Sequence, residues 1–525
     1  MYLLGLRKLQ SKGQGEKLGW YQLAGIHGRP FIPWDGVNQD GGGGNGYCSH
    51  GSNIFPTWHR PYLALFEEVL YLNCRQAISE FPAGAYKDRL IAALSTFRIP
   101  YWDWAAIPPS GQGNLPWSVQ RPTIEVTLPN GTTTIRNPLY SYVFQNVNHA
   151  DIVDSPYNMY NQTMRDATSK SGDAVSQNDK VALKMDEIRP NMQSRVYNIL
   201  AMQKDYLKMS NDVTSWDSLE ATHNTIHTSC GGHMDQPAYS AFDPLFWLHH
   251  TNVDRVFTIW QALNPDVYVE PMLNPFSTFT RQGGHTADAN TPLHPFHRND
   301  GGEFWTSEGV RSTTTFAYTY PDLADLDPKN TTPLVRRVNE LYGPEAHSLF
   351  KRDVTVADDL TKRSNPTPLK SRAVAGAPSF SGLRQYIASI KVQKFSKHGS
   401  FNIHVFLGDA PGPDPGQWSS EESWIGMTGI FAATPGGVEN THAKNSGIEA
   451  NGAVPLTAAL EAKIRSKELR DMREGIVEGY LRANLRWRVA KTNNEQIDVE
   501  DTPGFQISVV WSEVVPATSK DEFPQ

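Results

Sequence analysis

Six of the 16 histidines in this 525-residue sequence fall at spacings that can hold metal ions. His223 and His227 lie four residues apart, between a capping-box pattern, Asp217-Ser-Leu-Glu220, and a Gly231-Gly232 stop. On a helix such a pair sits about 40° apart on one face, and two imidazoles one turn apart can grip a single ion. Surface pairs at this spacing are at least as common as sites, so a third ligand is needed. Asp243-Pro244 supplies the cap and first-turn proline of a second helix, which runs through Leu-Phe-Trp-Leu-His249-His250-Thr-Asn-Val-Asp254-Arg255 to Ala262. A histidine in this apolar, aromatic stripe is costly to bury unless its ring nitrogens are used, which makes it a candidate third ligand. His249 and His250 are rotated about 100° from each other, so only one of them can face the pair. His250 and Asp254 share a face. Asp254 can orient a ligand with Arg255 as its charge partner, or the two can form a structural ion pair.

A second set lies upstream: His27 in Gly25-Ile-His-Gly28, His50 in Cys48-Ser-His50, and His59 in Phe55-Pro-Thr-Trp-His59-Arg-Pro, ahead of an apolar helical run. Cys-x-His can be half of a zinc site, but no other Cys/His cluster completes a tetrahedral set and HExxH is absent. The two sets suggest two centres of three histidines each. Imidazole-only ligation with open positions suits copper, with zinc as the chemical competitor.

The chain that must position these residues is rich in aromatics, with 14 Trp, 20 Tyr and 22 Phe, and has a mean hydropathy of -0.47, as expected of a soluble globular protein. A net charge of -7 offers no field for a polyanion, so neither nucleic acid nor an anionic membrane is expected as a partner. Three cysteines, Cys48, Cys74 and Cys230, are too few for a disulfide framework. The amino end has too short an apolar run for a signal peptide, and no stretch approaches a spanning helix, so the protein is expected to be intracellular and cytoplasmic. Residues 1–320 alternate apolar helical runs with long Gly- and Pro-rich loops. Residues 321–378 turn to Pro, Asp, Lys, Arg and Ser with dibasic pairs at Lys351-Arg352 and Lys362-Arg363, and read as a linker open to proteases. Residues 379–525 switch to a period of two, at Ile390 and Val392, Phe401 to Leu407, Leu485 to Val489 and Phe505 to Val509, with one helix near Pro455 to Met472.

The run Phe-Pro-Thr-Trp-His59-Arg-Pro-Tyr, the pair His223-Asn-Thr-Ile-His227 and Asp243-Pro-Leu-Phe-Trp-Leu-His249-His250-Thr-Asn-Val-Asp254-Arg255 resemble the two copper signatures of the coupled binuclear copper family. That family includes tyrosinases, catechol oxidases and hemocyanins. With the β-rich tail after Tyr318-Thr-Tyr320, the order resembles the long fungal tyrosinases. The resemblance implies a mainly α, helix-bundle core carrying a dicopper site, followed by a β-rich, sandwich-like C-terminal lid domain. It implies His27, His50 and His59 on one copper ion and His223, His227 and His250 on the other, with His250 preferred because Asp follows it by four. It also implies a thioether joining Cys48 to His50. The family pattern has a further segment ahead of the position of Met1, which leaves the partner of the Tyr318/Tyr320 motif open.

The implied activity is O2-dependent ortho-hydroxylation of monophenols and oxidation of o-diphenols to o-quinones, of the kind that forms melanin, on phenols of the tyrosine and catechol type. A phenol of pKa near 10 must lose its proton before reaching copper. Glu220 and Asn224 match positions that hold a water for that step, although Glu220 also fits the capping box. Phe246 is expected to pack on the ligand rings, and Pro237 resembles a gate position. A catechol oxidase without monophenol activity, a hemocyanin-like oxygen carrier and a zinc hydrolase are the competing readings. Quinone products and a protease-accessible linker suggest a latent enzyme awaiting an activating protease. In Trp424-Ile-Gly-Met427-Thr-Gly-Ile430-Phe431 the glycines suit a tight turn with an apolar tip, giving Phe431 as the plug with Met427 and Ile430 behind it. The same segment also reads as an ordinary edge of the sandwich.

Overall fold

Three helices carry four of the six histidines. In the computed structural model, which describes residues 1–40, 45–214, 216–344, 346, 384–395, 399–433 and 447–525, they run Phe55–Ser79, Leu219–Cys230 and Pro244–Leu263, and a fourth, Asn178–Met202, packs against the last two. Pro56 and Pro244 sit in first turns, where a missing N–H costs nothing. Asp243 caps the third helix by accepting the Leu245 N–H at 2.9 Å, and the buried Arg165 pairs with the same carboxylate at 2.6 Å. The Asp217-Glu220 capping box does not form. Ser218, extended in its backbone, is the cap and accepts the Ala221 N–H at 3.0 Å, while Asp217 pairs with Arg195 at 2.7 Å. All 12 residues of the Leu219–Cys230 helix are buried, so even its polar positions face packed neighbours.

Aromatic stacking clamps the His59 helix to the His250 helix. Phe66 lies flat on Trp247 with centroids 3.8 Å apart, and Trp20 meets both rings edge-on at 5.8 and 6.0 Å. Each such pair adds about 0.5–1.5 kcal/mol beyond its buried area.

The core extends further along the chain than composition implies. Thr332–Tyr342 is a helix that buries Leu334, Val338, Leu341 and Tyr342 against the bundle, and Asp322 just ahead of it pairs with Arg255 at 2.6 Å. The linker expected from residue 321 therefore begins beyond this helix. Its dibasic pairs lie outside the described residues.

The C-terminal unit is a sandwich of two antiparallel sheets. One has Arg384–Gln393 between Glu449–Pro455 and Gln506–Glu513; the other runs in the order Gln496–Ile497, Leu485–Lys491, Phe401–Leu407, Trp424–Ile430. Alternating Ile390, Val392, Ile403, Val405 and Val489 fill the space between them. Two helices, Thr457–Arg465 and Glu474–Asn484, stand where one was expected. Among the described residues no helix is long and apolar enough to cross a membrane.

The two units dock through the edge strand Trp424–Ile430, which lies on the Leu219–Cys230 helix. The tight turn expected there is a strand, and its glycines serve close approach. The Gly429 N–H donates to Thr225 Oγ1 at 3.0 Å, and a Cβ on Gly429 would meet Thr228 Oγ1 at 2.1 Å and Thr225 Cα at 2.9 Å. Past the final strand the tail returns to the core. Asp521 pairs with Arg336 at 2.6 Å, Asn339 donates to the carbonyls of Lys520 and Glu522 at 2.8 Å each, and Phe523 packs edge-on to Tyr197.

Gly429→Val is expected to pry the strand from the helix and cost about 1–3 kcal/mol, read as a lower melting temperature. Gly475→Ala, a helical position with nothing within 4 Å of the added Cβ, is the control that does not lower it.

Candidate metal centre

Hydrogen bonds to one ring nitrogen of His27, His59, His223 and His227 decide which nitrogen is left to bind. His27 Nδ1 donates to the Pro237 carbonyl at 3.0 Å, His59 Nδ1 to the Phe55 carbonyl at 2.9 Å, and His227 Nδ1 to the Met234 carbonyl at 2.6 Å. A carbonyl only accepts, so the proton sits on Nδ1 and the Nε2 lone pair is free. His223 Nδ1 faces Asn224 Oδ1 at 3.0 Å and follows the same logic.

Those Nε2 atoms converge. His250 Nε2 lies 3.2 Å from His223 Nε2 and 3.3 Å from His227 Nε2, so three ring nitrogens point into one small volume. His27, His50 and His59 form the neighbouring group, with Cys48, and ligand atoms within each group lie within 4.8 Å of one another. His59 stacks on His250 at 4.2 Å and joins the groups. The His27 Nε2 is buried without a hydrogen-bond partner, as a ligand nitrogen should be. An all-imidazole donor set of this kind fits a pair of borderline-soft divalent ions such as copper.

Burial pushes every one of these histidines below its ordinary value, His59 to about 4 and His227 to about 3. For His223, His227's charge adds to burial; for His250, His59's does. Neutral imidazoles are the form that binds metal.

His249 also falls within the second group, stacked on His223 at 5.0 Å, but neither of its ring nitrogens has a hydrogen-bond partner. It is the Nε2 of His250 that stands between those of His223 and His227.

Around the rings, Phe246 packs on His250 at 4.1 Å and on His27 at 4.9 Å. Pro237, half-buried, reaches the site through the carbonyl that orients His27. Cys48 Sγ lies 3.6 Å from His50 Nε2 and 3.4 Å from His59 Nε2, between the two rings, and burial raises its thiol well above the ordinary value. Glu220 is fully buried and accepts the N–H groups of Gly51 at 2.7 Å and Asp212 at 3.2 Å. Burial and the neighbouring Asp212 raise its carboxyl well above the usual range, against the opposing pull of Lys394.

Asp254 does not pair with Arg255. It accepts from Arg60 Nε at 2.8 Å and from the hydroxyls of Tyr318 and Tyr320 at 2.5 and 2.7 Å, which also answers what the Tyr-x-Tyr motif binds. Arg255 instead holds Asp322 and Asp103. Sequence reasoning missed Arg60, though it stands beside His59, and it missed Asp212 and Lys394 altogether.

Phe431, just past the docking strand, stacks on His227 at 4.3 Å and 19° and lies 5.6 Å from the His50 ring. Of its two proposed companions, Met427 is buried within the core of the helical unit, whereas Ile430 belongs to the sandwich core.

Comparison with known proteins matches both units of the chain. Residues 17–263 match the model of the common central domain of tyrosinase, and residues 385–509 match the tyrosinase C-terminal domain. A tyrosinase of Neurospora crassa is 32% identical over an alignment covering 98% of this chain and 89% of that protein. The fold is shared with a structure of latent and active mushroom tyrosinase (TM-score 0.80, 24% identity, 100% of this chain and 91% of that one). It is also shared with the apo-protyrosinase of Aspergillus oryzae (TM-score 0.73, 22% identity, 98% and 87%).

Copper titration of the apo chain is expected to give two ions for the unaltered protein and for His249→Ala, and one for either His59→Ala or His250→Ala. Loss of an ion in His249→Ala with both retained in His250→Ala would exchange the two assignments.

Proposed function

The chain belongs to the tyrosinase family, and we propose on that premise that His27, His50 and His59 hold one copper ion of its binuclear centre and His223, His227 and His250 the other. The activity is that of a tyrosinase: O2-dependent ortho-hydroxylation of monophenols and oxidation of o-diphenols to o-quinones. The observation that carries the ligand assignment is the convergence of three Nε2 atoms at 3.2 and 3.3 Å. When bound, the two copper ions supply O2 activation and take up the electrons of the phenol.

What the chain supplies is positioning and a base. Glu220 and Asn224 hold the water that takes the phenolic proton, and a carboxyl raised by burial is better matched to a phenol of pKa near 10 than an ordinary one. Phe246 braces His250 and His27, and Pro237 stands at the gate, small enough to admit a phenol ring. A thioether from Cys48 to His50 would remove rotational freedom from the least anchored ligand, since His50 lies on a loop and its sulfur neighbour is already within 3.6 Å.

The enzyme is made latent. Phe431 lies face-on to His227, where an aromatic substrate would stack, so the C-terminal unit excludes phenols until a protease cuts between Ala346 and Pro378. Phenols of the tyrosine and catechol type are the substrates this site suits.

Two measurements test these assignments. Glu220→Gln is expected to lower monophenol turnover at least tenfold while diphenol turnover changes less than threefold. Equal losses on both substrates would remove Glu220 from the proton step. Phe431→Ala in the uncut chain is expected to raise diphenol turnover per copper; turnover no higher than in the unaltered chain would mean that the plug lies elsewhere.

A further inference from the structure

Asp212 stands at the junction of the two units and touches everything that aims the proposed water. Its Oδ2 accepts from Asn224 Nδ2 at 2.9 Å and from Lys394 Nζ at 2.8 Å. Its backbone N–H donates to Glu220 Oε2 at 3.2 Å, and its carbonyl accepts from both the backbone N–H and the Nδ2 of Asn451, at 2.7 and 3.1 Å. Lys394 and Asn451 belong to the C-terminal unit, 182 and 239 residues along the chain. Asp212 and Lys394 are 1% and 3% exposed, so this is a buried ion pair across a domain boundary.

The amide of Asn224 has two ends of similar shape and opposite hydrogen-bonding sense. A carboxylate can only accept, so the NH2 end must turn to Asp212 and the Oδ1 end to His223. That oxygen requires a proton on His223 Nδ1, which leaves Nε2 free toward the metal position. Without the carboxylate either orientation of the amide would serve, and the flipped one would favour the tautomer that cannot bind. A bond to the Asp212 main chain fixes the adjacent Glu220 at the same time.

We propose that Asp212 is a positioning residue that sets both the amide orientation of Asn224 and the tautomer of His223, and that the C-terminal unit holds it in register through Lys394 and Asn451. The inference rests on the water-holding reading of Glu220 and Asn224.

The test uses the full-length, copper-loaded chain carrying Phe431→Ala, which opens the site while keeping Lys394 and Asn451 in place, and reads the ratio of monophenol to diphenol turnover. Replacing Asp212 alone would strand a buried ammonium, so the pair is replaced together as Asp212→Leu/Lys394→Met. This variant is expected to lower the ratio at least tenfold and to give up one copper to a competing chelator about tenfold more readily. Lys394→Met alone leaves Asp212 in place without its ammonium, and is expected to lower the ratio by less than half the fold-change of the double variant. In an Asn224→Ala background the paired replacement is expected to lower the ratio less than twofold further. An unchanged ratio and copper affinity in the double variant, while Glu220→Gln does lower the ratio, overturns the role of Asp212 and leaves the water-holding reading standing. An unchanged ratio in Glu220→Gln overturns that reading itself. A drop in Lys394→Met as large as in the double variant, or a full further drop in the Asn224→Ala background, also overturns the role of Asp212.

Discussion

Asp254 and Arg60 meet at 2.8 Å with side chains 1% and 0% exposed, and this contact sets the distance between the two histidine groups. Arg60 follows His59 on one helix, and Asp254 is one turn after His250 on another. Tyr318 and Tyr320 close the remaining side of the carboxylate, and Arg60 reaches on to the carbonyls of Val310 and Arg311 at 2.9 Å each. A buried pair of this kind adds little net stability, but losing one partner costs about 3–5 kcal/mol. What it provides is a fixed relation between two helices that share few other polar contacts. The stacked Phe66 and Trp247 hold the same helices together without specifying their register, and the ion pair does specify it.

Placing seven imidazoles in one buried volume constrains their charge. Each is desolvated, and for most of them a proton on a neighbour makes a further proton harder to accept. The group therefore folds neutral, with acceptor nitrogens facing one another. Buried acceptors without donors are costly, so the metal-free protein carries a local penalty that metal binding relieves. The carbonyls of Phe55, Met234 and Pro237 turn that cost into geometry, since each holds one ring by its protonated nitrogen.

The helical parts of the site were open to inspection in the sequence, because His223, His227 and the Asp243-Pro244 start are local signals. The choice of Ser218 over Asp217 as cap was not, since it turns on backbone conformation one residue either way. Asp254 illustrates a different gap: its partner Arg60 is 194 residues distant, and adjacency in sequence favoured Arg255. Leu334, Val338, Leu341 and Tyr342 do keep a helical spacing that could have moved the linker boundary, but the polar residues between them masked it. In the C-terminal unit the period of two finds most strands, but Trp424–Ile430 stays open between a tight turn and a sandwich edge because Gly426 and Gly429 look like turn residues; the edge is what forms. Gly429 answers to the Leu219–Cys230 helix some 200 positions earlier, and Gly426 to Asn191 on the Asn178–Met202 helix.

The returning tail bears on how quickly the chain can open. Asp521, Lys520, Glu522 and Phe523 are anchored on Arg336, Asn339 and Tyr197, at a distance from both the edge strand and the buried Lys394. Severing the chain ahead of Arg384 therefore leaves the sandwich attached at several separate places. The cut removes only the covalent link that kept the two pieces at a high effective concentration. After it they form an ordinary bimolecular complex whose occupancy falls with dilution. Under the proposed cleavage, a nicked molecule at high local concentration stays closed and opens as it spreads, so that release is timed by dispersal as well as by the cut.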